Sequence, residues 1–210
     1  MSHCTKFEFK YTSEGAIVKA FRKLEIKCST ELVSEFKSEF SKQVLGKLGY
    51  LGNIQYRAIC GIIGKYNIFL CKIGENDYEL FIERSVIGNN DNEEMKMLSD
   101  DFQRAYIEVA IDEIVKKLDK GNMPSKVEST KNKYTISFGS SYEYSLVVSF
   151  EEGKITEEVI GVKGDFCTKL TEDIENILSH PSSELVTEWK QEYNMQIEDQ
   201  NIQVLSLSFW

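Results

Sequence analysis

Proline is scarce in this chain of 210 residues, with only Pro124 and Pro181. That excludes long proline-rich linkers and polyproline recognition segments. Histidine is equally rare, at His3 and His180. A triad of nucleophile, base and orienting group would have to draw its imidazole from one of these two. His3 sits at a terminus, where it makes a poor base, and His180 before Pro181 is expected to end a helix. No stretch approaches the roughly 20 apolar residues that span a bilayer. The opening residues lack the apolar core of a signal peptide. The chain is therefore expected to be soluble, with no membrane partner. The five cysteines, Cys4, Cys28, Cys60, Cys71 and Cys167, are odd in number and show no CxxC spacing. Free thiols in a reducing, cytoplasmic compartment are the expectation.

What is present is bulk and charge. Twelve Phe and ten Tyr supply enough volume for a core. The net charge of −9 is uneven. Residues 1–139 hold 21 Lys/Arg against 20 Asp/Glu, whereas residues 140–210 hold 4 against 14. The last third would repel a phosphate backbone. It reads either as a solvated surface or as a docking face for a basic partner.

Periodicity assigns most elements. Thr5, Phe7, Phe9 and Tyr11 alternate with charged residues, as in a half-buried strand. Ser13 can cap a helix bearing Ala16, Ile17, Ala20, Phe21 and Leu24. Leu24–Cys28 reads as a short strand. Leu32, Phe36, Phe40 and Val44 predict a second helix over 31–45, the phenylalanines forming a core stripe. The glycines of Gly46-Lys47-Leu48-Gly49-Tyr50-Leu51-Gly52 lack the G-K-[ST] ending of a phosphate loop and read as turns. A meander follows over 54–63, 66–73 and 78–83, with a hairpin turn at Gly74–Asp77. A long helix is predicted over 93–118, with Leu98, Phe102, Tyr106, Val109, Ile114 and Leu118 on its buried face and Gly121 as the residue past its end. A hairpin joins Val127–Glu128 to Tyr134–Phe138.

Gly139-Ser140-Ser141 marks the expected domain boundary. Beyond it, Tyr142–Phe150 and Ile155–Val162 form a hairpin. A helix with Leu170, Ile174, Ile177 and Leu178 inside then completes a ββα unit. Residues 184–193 are ambiguous, and Ile202–Trp210 alternates like a strand that needs a pairing partner. The expected fold class is α+β, in two small domains at 1–139 and 140–210. Each is a mostly antiparallel sheet packed on one or two helices.

Two resemblances accompany this reading. Residues 1–138 open with Met1-Ser2-His3. They carry the Leu48–Gly52 turn, the return strand Asp77-Tyr78-Glu79-Leu80 and the helical Phe102-Gln103-Arg104-Ala105-Tyr106. They resemble the plastid and cyanobacterial hypothetical open-reading-frame thirty-five family, domain of unknown function twelve fifty-seven. The segment departs from that family in its insertion around 30–45 and at Cys4, where an aromatic is common. Residues 144–195 carry the Gly153 turn, Gly161-x-x-Gly164-x-x-Cys167, a helix and Glu192-Tyr193. They are similar to domain of unknown function twenty-nine ninety-seven, with His180-Pro181 standing where its members have a glycine. Neither family has an established activity. The resemblance implies small proteins encoded near one another and near an AAA-type ATPase, and their fusion implies modules that work in contact.

The candidate chemistry is thin. Cys167 is placed at a helix N-terminus, where amide groups can lower a thiol pKa. It has no adjacent base, and Asp165 has the wrong sign, so a buried cysteine closing the ββα core is the competing reading. Gly161 and Gly164 join it as candidate binding positions. A zinc site built on His3 and Cys4 has no supporting ligand spacing, so neither metal nor cofactor is expected. Asp100-Asp101 and Asp112-Glu113 are expected to face solvent on the long helix. Of Glu157-Glu158, only one can point inward. Tyr56-Arg57 and Lys65-Tyr66 offer a small basic-aromatic face for nucleic acid, disfavoured by the near-neutral charge around it. The leading expectation is a non-catalytic accessory subunit with a protein partner, an ATPase-based machine among the candidates. The alternatives are a Cys167-dependent enzyme and a nucleic-acid-binding module.

Overall fold

The alternation of β-branched and aromatic residues is realised as two antiparallel sheets in a computed structural model that describes residues 3–32, 57–84, 92–162 and 166–189. The strands are β1 (His3–Glu8), β2 (Cys28–Leu32), β3 (Arg57–Ile63), β4 (Tyr66–Gly74), β5 (Asp77–Arg84), β6 (Ser125–Thr130), β7 (Lys133–Phe138), β8 (Tyr144–Glu151), β9 (Lys154–Ile160) and β10 (Val186–Trp189). The helices are α1 (Glu14–Lys23), α2 (Asn92–Lys120) and α3 (Phe166–Leu178). This is an α+β fold. The chain divides into two compact units, residues 1–10 with 110–210, and residues 11–109.

The first unit holds a six-stranded sheet ordered β10-β1-β9-β8-β7-β6. Four of these strands form a consecutive meander. The N-terminal β1 then inserts between β9 and β10, antiparallel to both. Strand alternation puts Phe7, Ile155, Val159, Leu146, Val148, Tyr134, Ile136 and Phe138 on one face, all buried. Phe9 and Phe150 meet edge to face, with ring centroids 5.7 Å apart. The amphipathic α3 turns Phe166, Cys167, Leu170, Thr171, Ile174 and Leu178 inward.

The second unit holds a four-stranded sheet ordered β2-β3-β4-β5. Ser13 caps α1 as its sequence predicts, its Oγ accepting from the Ala16 N–H at 3.2 Å. Phe21 of α1 packs edge to face on Phe102 of α2, centroids 4.8 Å apart. Gly61 in β3 lets the sheet approach this ring, because a Cβ there would lie 2.5 Å from Phe21. The Tyr106 hydroxyl accepts from the N–H groups of Thr12 and Ser13, at 2.9 and 3.0 Å, and so fixes the entry to α1.

Several expectations change in detail. The expected boundary at 139–140 is a tight connection, with Gly139 at φ 102° and Tyr142 at φ 57°. β7 and β8 pair across it from Lys133↔Ser149 to Phe138↔Tyr144. The division between the units falls instead inside α2, at 109/110. A turn and a linker draw on the same small residues, so composition does not separate them. The strand placed at Leu24–Cys28 lies one turn later, at Cys28–Leu32, because Glu25 takes a left-handed turn conformation (φ 58°). At the end of α2 the left-handed residue is Asn122 (φ 55°), one beyond Gly121. The ambiguous 184–193 region contains β10. The expected helix at 31–45 overlaps β2 at its first two residues, and the rest of it lies outside the described residues. So do the Gly46–Gly52 turn and the terminal strand 202–210. Among the described residues, no helix is long and apolar enough to cross a membrane.

Candidate functional site

Among the described residues, one carboxyl side chain stands on the inner face of the six-stranded sheet. Ile155, Glu157 and Val159 alternate inward along β9, and all three are fully buried. Register sets the neighbours of Glu157, with Thr5 of β1 opposite it on one side and Val148 of β8 on the other. Beyond Thr5 comes Thr187 of β10, and the two threonine hydroxyls are 3.1 Å apart. The row thus runs from hydroxyls through a carboxyl into hydrocarbon. Neither Glu157 oxygen has a hydrogen-bond partner.

Glu175 of α3 is the carboxyl that acts on it. Burial pushes the proton affinity of Glu157 well above the ordinary carboxylate range, and the Glu175 charge adds to the rise. Glu175 is itself raised by burial, opposed by its hydrogen bond from the Thr171 hydroxyl (3.2 Å) and reinforced by Glu172. The Thr171 hydroxyl also reaches the Thr168 carbonyl at 3.2 Å. Lys117 of α2 forms an ion pair with Asp173 on the same helix. Both carboxyls hold a proton more tightly than an ordinary glutamate does, Glu157 far more so. Glu157 is fully buried, so its carboxyl does not reach the surface of this unit.

The candidate positions around α3 fall as follows. Cys167 lies in the first turn of α3 and is completely buried. Gly161 follows β9 with φ 84°, and a Cβ there would come within 2.9 Å of the Glu143 carbonyl oxygen. The turn therefore requires glycine without any ligand. Gly164 lies outside the described residues. His180 closes the turn after α3, its Nδ1 accepting from the Ser182 N–H at 3.1 Å. Among the described residues, no group of three or more Cys, His, Asp or Glu side chains gathers as metal ligands do.

Elsewhere the pairings are of surface type. Asp101 pairs with Arg104 and Glu113 with Lys116 on α2. Lys65 is matched by Glu94 at 2.9 Å, and the buried Tyr66 donates its hydroxyl to the same carboxylate at 2.5 Å. That half of the basic-aromatic pair is neutralised within its own unit. Tyr56 lies outside the described residues.

Residues 149–193 match a family model described as Protein of unknown function (DUF2997). The match takes in the end of β8, all of β9, α3 and β10. Its outer strands do not touch each other here, because β1 lies between β9 and β10. No curated protein and no solved structure matches the chain significantly.

The sequence left open which of Glu157 and Glu158 points inward, and the structure turns Glu157 in. The carboxyl on α3 that acts on it was not legible, because no sequence spacing links a strand to the face of a helix that follows it.

Proposed function

We propose that this protein is a non-catalytic accessory subunit that docks onto a larger intracellular assembly through the β10 edge of its six-stranded sheet. The carrying observation is the surface around that strand. Leu185 and Val186 are 43% and 53% exposed, and the exposed Glu184 and Glu188 flank them. Apolar side chains on an outer strand are a recognised liability and a recognised docking mode. The carboxylates select a basic partner and speed the encounter. Glu143, Glu151, Glu152 and Glu172 of the same acidic third are also exposed.

The resemblance of residues 1–138 to domain of unknown function twelve fifty-seven supports this reading and directs it toward an AAA-type ATPase as the partner. None of the five cysteines is joined in a disulfide, which supports a reducing, cytoplasmic setting.

The test is quantitative affinity capture of the tagged full chain from its native lysate, beside a Leu185→Lys/Val186→Lys variant. An ATPase captured stoichiometrically by the native chain and lost in the variant is expected. Equal capture by both chains, or a native chain that comes down alone, overturns the reading.

A further inference from the structure

At the opposite edge of the same sheet from β10 lies β6, whose residues Lys126, Val127, Glu128, Ser129 and Thr130 are all exposed. We propose that β6 is a self-association edge, pairing antiparallel with β6 of a second copy of this chain about a two-fold axis through Val127. This is independent of any docking at β10.

The pairing parity of β6 is fixed by its register with β7. β6 and β7 run in a register that matches Ser125 with Phe138, Lys126 with Ser137 and Val127 with Ile136. Extended by one residue, the register sets Pro124 against Gly139, and the Gly139 N–H donates to the Pro124 carbonyl at 3.2 Å. Hydrogen-bonded pairs alternate along an antiparallel ladder. Lys126 and Glu128 therefore spend their backbone groups on β7. The N–H and C=O groups of Ser125, Val127 and Ser129 point to the outer edge, which no other strand covers among the described residues.

A second copy centred on Val127 uses all of these groups. Val127 bonds its counterpart, and Ser125 bonds Ser129 of the other copy. Lys126 then stands directly opposite Glu128 of the other copy in a non-hydrogen-bonded pair, where side chains approach most closely. By symmetry the Lys–Glu match occurs twice. Val127, 41% exposed on the same face as the buried Ile136, gains a hydrophobic neighbour in its own counterpart.

Charges on an edge strand ordinarily repel stray strands. Lys126 and Glu128 lie on one face and already bond each other within the chain at 2.6 Å. Opposite signs two residues apart are complementary to themselves when the strand is reversed. They therefore deter unlike strands and admit this one. An interface of two short strands is small, so the dimer is a dissociating one.

The experiment is sedimentation analysis of the full chain over a range of concentrations, with circular dichroism showing that each variant folds. The native chain is expected to show a monomer–dimer equilibrium. Lys126→Glu and Glu128→Lys should each weaken dimerisation roughly tenfold, because each turns two attractive pairs repulsive. The double swap K126E/E128K should restore the dimer. An equimolar mixture of the two single variants should heterodimerise. Val127→Pro should abolish association while leaving the β6–β7 ladder intact, since the lost N–H is the one aimed outward. A native monomer at every concentration, or single variants that dimerise like the native chain, overturns the proposal. A double swap and a mixture that both stay monomeric overturn the antiparallel register.

Discussion

Glu175 on α3 raises the proton affinity of Glu157 on β9, a carboxyl that is fully buried without a hydrogen-bond partner. The sheet tolerates this because the group is held neutral. A neutral carboxyl in hydrocarbon costs far less than an ion.

A carboxyl with raised affinity in the folded state contributes most in acid, and its contribution is lost as pH rises. The loss begins near the ordinary value of 4.5 and proceeds toward the elevated folded value. Each unit of elevation corresponds to about 1.4 kcal/mol. Glu157→Leu should therefore stabilise the protein at pH 7 by about 1–3 kcal/mol, the usual cost of a buried unsatisfied polar group. Glu157→Gln should flatten the decline of the melting temperature between pH 5 and pH 8. Melting curves across that range check both. A Glu157→Leu variant that melts lower than the native chain at pH 7 refutes the account.

Tyr106→Phe removes the acceptor of two backbone N–H groups, one of them at the α1 cap. One buried and one part-buried donor lose this acceptor, and a loss of about 1–3 kcal/mol is expected. Urea denaturation measures it, and a change below about 0.5 kcal/mol would show that water replaces the phenol.

Gly61→Ala drives a methyl group into the Phe21 ring and the Ile26 side chain, at 2.5 and 2.7 Å. Overpacking of this kind costs about 1–3 kcal/mol. The thermal midpoint should fall, and combining the change with Phe21→Leu should recover part of the loss. Additive losses in the pair would place the strain elsewhere.

Cys167 is fully buried, as is Cys71, whose thiol burial pushes up to about 12. Cys4, Cys28 and Cys60 are partly exposed. Iodoacetamide should label those three in the folded chain, and Cys71 and Cys167 only after unfolding. Mass spectrometry of timed samples follows the order. Rapid labelling of Cys167 in the native state would restore it as a candidate nucleophile.

The sequence by itself determined the local elements. An apolar run marked the strand at Tyr66–Gly74, period-two alternation marked those at 78–82 and 144–150, and period-3.6 spacing marked α2 and α3, because each pattern is set by neighbours within a few residues. It also marked Ser13 as a cap. The tertiary structure alone decided that β1 slots between β9 and β10, some 150 to 180 residues away along the chain. It decided that the turn at Gly139 joins two paired strands, and that Glu157 is buried within reach of the Glu175 charge. These depend on which strand edges find each other and which helix face lands on the sheet. Such pairings are selected by total burial over the whole unit, a quantity that no short window of residues contains.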